Sequence, residues 1–166
     1  MLQLKPLSKE SIPNALKRAE HYRLLNQPWQ AESICRDILL IDPGHKTALL
    51  NLILAITDQF GTNTSSSDTE ARELCAQLDN EYQELYYEGL IEERLGKAAL
   101  KRATPRARYI AYEFYHNALT LYEKAQKIHP EDNEESLLRW NACARTMVEF
   151  NIEPSPSEDG APTLLE

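Results

Sequence analysis

Apolar and small residues recur every three or four positions along most of this chain, which is the spacing of one helix face. Between residues 29 and 41, for example, Ala31, Ile34, Cys35 and Ile38 fall on one face. The chain has only five glycines and no alternating runs of β-branched residues, so a sheet is disfavoured. The pattern predicts an all-α protein.

Turn-forming residues divide the chain into about seven predicted helices. The breaks include Asp42-Pro43-Gly44, Thr104-Pro105 and Pro130. Ser11 is the expected N-cap of the first helix, and Ser67 followed by Glu70 forms a capping-box pattern before the fourth. Asp132 or Asn133 is expected to cap the seventh helix. The predicted ranges are about 11–25, 29–41, 45–60, 67–78, 81–103, 106–129 and 134–150.

Composition sets the domain limits around these helices. Residues 1–10 are expected to form an N-terminal arm and residues 11–150 a single helical domain. Residues 151–166 contain several prolines and acidic residues but no Lys or Arg. This segment is expected to be a disordered acidic tail, because it has too little apolar surface to fold alone.

One local pattern occurs three times, and it places a small residue where two helices would cross. The small residue is followed by larger or apolar residues four and seven positions later. A helix pair approaches closely only where one partner has a small side chain, so each occurrence predicts a tight crossing. The three sets are Ala31-Cys35-Ile38, Ala71-Cys75-Leu78 and Ala118-Tyr122-Ala125.

This spacing resembles the tetratricopeptide repeat. The first unit matches through Ala19, Tyr22, Ala31, Cys35, Ile38 and Pro43. The third matches through Gly89, Gly96, Ala118, Tyr122, Ala125 and Pro130. The middle unit keeps Ala71 but lacks the tyrosine and the closing proline, and Ala15 stands where the family has a tryptophan. The resemblance implies a right-handed superhelical stack of antiparallel helix pairs over roughly residues 12–150.

The third unit is longer than the family pattern. Gly96 lies 22 residues before Ala118, whereas the equivalent Asn26 lies five residues before Ala31. The 17 added residues are mostly helix-forming, so both helices of this pair are expected to be about two turns longer. The result would be a helical hairpin that protrudes from the stack, with its tip near Pro105. A shorter insertion in the middle unit, residues 62–67, is expected on the same edge and would help to form a binding face.

Charge is unevenly distributed along the chain. The formal net charge is −8, yet residues 94–108 carry six basic residues and no acidic one. This run predicts a docking patch for an acidic partner, with a merely solvated hairpin as the alternative. Nucleic acid fits less well, because the flanking segments are strongly acidic. The basic residues are Arg94, Lys97, Lys101, Arg102, Arg106 and Arg108.

The family resemblance also implies a groove on the first helix of each pair that takes an extended or helical peptide. The candidate residues in this sequence are Asn14, Lys17, Arg18, His21, Lys46, Asn51 and Tyr87. Asn14, Lys17 and Asn51 are of the types that carboxylate-clamp members of the family use. They do not match that motif residue by residue.

Signals of catalysis are weak, so the chain is expected not to be an enzyme and to need no metal or cofactor. The four histidines are isolated, and none has metal-ligand spacing with another histidine or a cysteine. Glu92 and Glu93 are adjacent and would point to different sides of a helix, where they are expected to be surface charges. Three widely separated cysteines are typical of reduced thiols in a cytoplasm. No apolar segment is long enough to span a bilayer.

These observations favour a cytoplasmic protein-interaction module, monomeric or weakly dimeric, that binds another protein or peptide through the groove, the basic hairpin or both. Two alternatives remain open. One is a small secretion-type or assembly chaperone, and the other is a structural subunit that self-associates, which exposed Trp29 or Trp140 would favour.

Overall fold

The computed structural model describes residues 2–62, 67–102 and 104–156, and within them it contains helices and no strand. The all-α prediction is therefore confirmed. A short 3-10 turn at Lys9–Ser11 precedes the first α-helix. The helices are α1 (Ile12–Leu24), α2 (Pro28–Ile41), α3 (Lys46–Asp58), α4 (Asp68–Cys75), α5 (Glu81–Lys101), α6 (Ala107–Lys127) and α7 (Glu135–Glu149).

Each helix packs against the next along the chain, and α3 also contacts α1 and α5. The larger apolar cluster lies among α1 to α5, and a second joins α5, α6 and α7. The helix α5 contributes to both, so it is the element that connects the two halves of the molecule.

The predicted small residues do lie at helix crossings. Five alanines in the predicted crossing and repeat positions have no solvent-exposed surface, and Tyr22 packs at the edge of the larger cluster. Pro43 and Pro130 are exposed and follow helices, as breakers do. The buried alanines are Ala19, Ala31, Ala71, Ala118 and Ala125.

Two glycines of α5 form sockets for tyrosine rings of α6. A Cβ added at Gly89 would lie 2.8 Å from Cε1 of Tyr122, and one added at Gly96 would lie 2.9 Å from the Tyr115 ring. The glycines are seven residues apart, and so are the tyrosines. This matched spacing fixes α5 and α6 as an antiparallel pair in one register, because a shifted register would place rings against side chains.

The third helix pair is lengthened as predicted. Helices α5 and α6 have 21 residues each, against 13 and 14 in α1 and α2. The difference is about two turns. The pair is less free than expected, since Gly61 lies against Ala98 on one side and Ile152 joins the cluster of Ala99 and Ala111 on the other. The end of the pair beyond these contacts we call the hairpin tip (residues 100–102 and 104–110).

The two predicted insertions lie side by side. Thr62 and Asp68, which flank the shorter insertion, line one cavity of about 290 Å³ together with Arg102 and Ile110 of the hairpin. Residues 63–66 of that insertion are outside the described part of the chain.

Two of the three predicted caps differ in detail. The Ser67 side chain accepts a hydrogen bond from the Glu70 N–H, as the capping-box pattern predicts. Ser11 occupies the N-cap position of α1, but its hydroxyl pairs with that of Ser8 and does not cap the helix. Before α7, Asn133 accepts a hydrogen bond from the Glu135 N–H although Glu134 is the N-cap residue.

The start of the predicted disordered tail is folded. Asn151 has a left-handed φ of 49°, and the Ile152 N–H donates to the Met147 carbonyl, which closes the end of α7. Ile152 is 5% exposed and packs among α5, α6 and α7. Ile152, just past the predicted boundary at residue 151, thus packs with the helical domain. Residues 157–166 lie outside the described residues, and their predicted disorder stays a prediction.

Candidate functional site

Several charged side chains from α3, α5 and α7 face one another at the surface. A recess of about 210 Å³ opens there, and we call it the basic recess. Its charged lining consists of Asp58, Glu93, Arg94, Lys97, Lys101 and Arg139. Four cations and two carboxylates thus face one small volume.

Asp58 is shared by two arginines. It is the last residue of α3, where a carboxylate is unfavourable beside the helix dipole unless cations neutralise it. Oδ2 accepts from Arg23 Nε at 2.8 Å, and Oδ1 lies 2.8 Å from a terminal nitrogen of Arg94. Helices α1, α3 and α5 are therefore joined by one carboxylate between two guanidinium groups.

Arg94 is held deep in the wall of the recess. Its side chain is only 17% exposed, and it donates to the Leu54 carbonyl at 2.9 Å and to the Thr57 hydroxyl. Burial lowers the pKa of Arg94 below its ordinary value, and the positive charges of Arg23 and Arg139 add to that lowering against the attraction of Asp58. The positive charge of Arg94 is therefore partly buried and has to share its carboxylate with Arg23.

Glu93 connects the recess to the second apolar cluster. It accepts a hydrogen bond from the Tyr122 hydroxyl at 2.8 Å, and Arg139 of α7 lies 3.4 Å away. Burial and the adjacent Glu93 raise the pKa of both Tyr122 and Cys143, so both remain protonated at neutral pH. One carboxylate therefore positions α5, α6 and α7 at the inner end of the recess.

Glu92, the neighbour of Glu93, points to the opposite side of α5. It is 6% exposed, accepts from Arg72 of α4 at 2.6 Å, and accepts from Asn117 of α6 at 3.2 Å. The two glutamates do face different sides, as expected for adjacent helical residues. They are not surface charges, however, because each is paired with an arginine from a neighbouring helix.

Five of the six predicted hairpin cations remain available. Within the described chain they form no ion pair and no side-chain hydrogen bond, and all five are exposed. Lys97 and Lys101 are one helical turn apart at the rim of the recess. The other three belong to the hairpin tip. The available cations are Lys97, Lys101, Arg102, Arg106 and Arg108.

Arg94 differs from that prediction. Its position three residues before Lys97 suggested a shared exposed stripe, but α3 covers it and commits it to Asp58 and Thr57. Arg94 therefore forms part of the wall of the recess and is not free to bind a partner.

The predicted groove residues divide into three kinds. Asn14, Lys17, Arg18 and His21 are exposed on α1 and remain available. Lys46 donates to the Leu78 carbonyl at 3.3 Å, while Tyr87 is half-buried against the Tyr86 ring and burial raises its pKa to about 12. Asn51 corrects the prediction, since it is buried and donates to the Thr47 carbonyl of its own helix.

Sequence reasoning missed Arg23, Asp58 and Arg139. A signal did exist for the first two, because Arg23, Asp58 and Arg94 follow one another at intervals of 35 and 36 residues. Such intervals place the three residues on α1, α3 and α5, which are alternate helices of the chain. Arg139 shows no comparable signal.

The remaining chemistry-bearing groups give no second site. Among the described residues, no group of three or more His, Cys, Asp or Glu side chains is arranged to hold a metal ion. The three cysteines are buried, and burial raises the pKa of Cys35 and of Cys75 to about 12. No helix in the described ranges is sufficiently long and apolar to traverse a membrane.

Comparison with known proteins gave no match: no family model, no curated protein and no solved structure is significantly similar to this chain.

Proposed function

We propose that this protein is a tetratricopeptide-like interaction module that binds an acidic segment of a partner protein across the basic recess and the hairpin tip. One observation carries the proposal. Five cations lie together with no partner in the described chain, although the protein as a whole carries a net charge of −8. Such a patch attracts an acidic partner, while the acidic remainder of the surface repels that partner and so confines its binding to the patch.

Two features support the repeat architecture within this proposal. The small residues of all three units are buried at helix crossings. In addition, Arg23 of α1 and Arg94 of α5 both contact Asp58 of α3, the helix between them. In such a stack α1, α3, α5 and α7 would line the inner face, and the recess would lie on it. The right-handed superhelix and the cytoplasmic location belong to the proposal.

The test compares two charge-reversal variants of the immobilised protein in capture from lysate of the source organism. Lys97→Glu/Lys101→Glu changes the recess, and Lys124→Glu/Lys127→Glu makes the same charge change at the far end of α6. All four lysines are exposed. We expect the first variant alone to lose the captured partner, with circular dichroism unchanged. Equal capture by both variants would contradict the proposal.

Self-association is a second candidate function, because apolar side chains are exposed at the α1–α2 turn. Leu24 is 86% exposed and Trp29 is 54% exposed. Trp140, in contrast, is partly buried and donates to Glu123 at 3.1 Å. Sedimentation of the wild type and of Trp29→Gln tests this candidate: a dimer that the substitution dissociates would support it. The chaperone alternative stays a prediction.

A further inference from the structure

The basic recess contains more positive charge than the structure neutralises. Its lining cations exceed its lining carboxylates by two, and Asp58 is also paired with Arg23, a fifth cation just outside the lining. Counting Arg23, three positive charges have no carboxylate of their own. Concentrated charge of one sign is unfavourable in a partly buried place unless an ion of opposite sign joins it.

The positive groups differ in how freely they can move. Arg94 is fixed by α3 and cannot turn to the opening without losing its bonds to Leu54 and Thr57. Lys97 and Lys101 are exposed at the rim, whereas Arg139 is partly exposed, lies 3.4 Å from Glu93 and is hydrogen-bonded to Tyr86. The recess therefore has a fixed cation in its wall, two adjustable lysines at its rim and one arginine already bonded to α5.

The size of the recess limits what enters it. A volume of about 210 Å³ equals roughly seven water molecules at ~30 Å³ each. This space admits a small oxyanion or one side-chain group but no folded element. Lysine ammonium groups and an arginine fork on several sides suit a tetrahedral oxyanion, whose oxygens point in several directions.

We propose that the basic recess binds a phosphoryl group, either as free phosphate or as a phosphate ester on a larger molecule. Lys97, Lys101 and Arg139 donate to its oxygens, and Arg94 supplies a fixed positive charge behind it. A dianion matches the excess of two lining cations, whereas a single carboxylate leaves at least one of them unneutralised. The inference goes beyond the proposed function and does not depend on it.

The test is isothermal titration calorimetry of the full chain at low salt in a buffer free of phosphate. The three ligands are inorganic phosphate, phenyl phosphate and succinate. The variant Lys97→Gln/Lys101→Gln removes the rim cations, and Lys124→Gln/Lys127→Gln is the matched control at the other end of α6. We expect saturable 1:1 binding that the first variant weakens at least tenfold and the control changes by less than about twofold.

The ligands separate the two sources of the phosphoryl group. Binding of inorganic phosphate but not phenyl phosphate would assign the recess to the free ion, and binding of both would include an esterified group. Succinate binding as tightly as phosphate, an equal loss in both variants, or no saturation would overturn the inference. Capture of a partner that depends on Lys97 and Lys101 would still stand after such a result, so the two proposals fail separately.

Discussion

Two sets of arginines in this molecule have opposite ratios of positive to negative charge. On the outer side, Arg72 is bound by Glu88 at 2.7 Å and Glu92 at 2.6 Å, so one cation has two carboxylates. In the basic recess, Asp58 is one carboxylate between Arg23 and Arg94. The same side-chain types are therefore arranged as a closed structural bridge in one place and as an open, positively charged site in the other.

The pKa directions of Arg36, Arg72 and Arg94 follow this ratio. Arg139 of the recess does not, because its burial is outweighed by Glu93 and two neighbouring tyrosines, which raise its pKa. The hydrogen bond to Glu70 raises the pKa of Arg36, which also binds Glu32. Burial opposes a similar increase for Arg72, yet Glu92 and Glu88 raise its pKa as well. Arg94 shows the reverse direction, since its burial exceeds the help of a shared carboxylate. Both sets hold helices together, but only the inner set does so with more cations than carboxylates, which leaves it able to accept an anion.

The largest expected effect on stability comes from disturbing the packing of α5 against α6. Because a Cβ at Gly89 would contact the Tyr122 ring, Gly89→Leu overpacks the α5–α6 crossing and should lower the free energy of unfolding by about 3 kcal/mol or more. Urea unfolding followed by circular dichroism measures it. Gly44→Ala is the control, since nothing lies within 4 Å of its added Cβ. Equal effects of both substitutions would show that the socket does not set the register.

The next effect concerns the outer bridge. Arg72→Ala leaves Glu92 buried and close to Glu88 with no cation between them. We expect the free energy of unfolding to fall by about 2–3 kcal/mol. This is less than the usual loss for a fully buried ion pair, because Arg72 is partly exposed. Chemical denaturation provides the measurement. Added phosphate should not restore the loss, and restoration would contradict the distinction between the two sets.

A smaller effect is expected at the shared carboxylate of the recess. Asp58→Asn removes the negative charge between Arg23 and Arg94 but keeps a hydrogen-bond acceptor. The free energy of unfolding should fall by about 1–2 kcal/mol. Thermal unfolding with increasing phosphate tests the mechanism, because a bound dianion should recover more stability in this variant than in the wild type. The same increment in both proteins would count against an open anion site.

The smallest effect on stability is expected from the rim lysines. Lys97→Gln/Lys101→Gln removes two exposed cations with no partner in the described chain, so the free energy of unfolding should change by no more than about 0.5 kcal/mol. Urea denaturation of this variant and of the control Lys124→Gln/Lys127→Gln measures the change in the free energy of unfolding. A loss above 1 kcal/mol would mean that the lysines are structural and that the rim is not free.

Most of the helical framework could be predicted from the sequence, because helix spacing and helix breakers are local signals. Each predicted end lies within about three residues of the observed end, and the extra length of α5 and α6 follows from the distance between Gly96 and Ala118. The buried alanines were found in the same way. Ile152 was not, because an average over a proline-rich acidic segment hides one apolar residue that reaches a neighbouring cluster.

The candidate site could be predicted only in part. The run of basic residues identified Lys97 and Lys101, but it could not separate them from Arg94. Whether a charge on a helix face is free depends on which other helix lies against it, and Asp58 comes from 36 residues earlier in the chain. Arg139 belongs to α7 and lies 45 residues after Arg94, and no regular spacing in the sequence predicts that it reaches the site. Contacts between helices decide the chemistry of this site.

The most direct test of an anion site in the basic recess is a phosphate titration. Its effect is followed by ¹H–¹⁵N NMR of the Nε–Hε groups of the arginine side chains. Single Arg→Lys substitutions assign the signals of Arg36, Arg72, Arg94 and Arg139. An anion in the basic recess should cause saturable shifts for Arg94 and Arg139, with Arg36 and Arg72 unchanged because their carboxylates already neutralise them. Equal shifts of all four signals, or no shift at Arg94 and Arg139, would contradict an anion site in the basic recess.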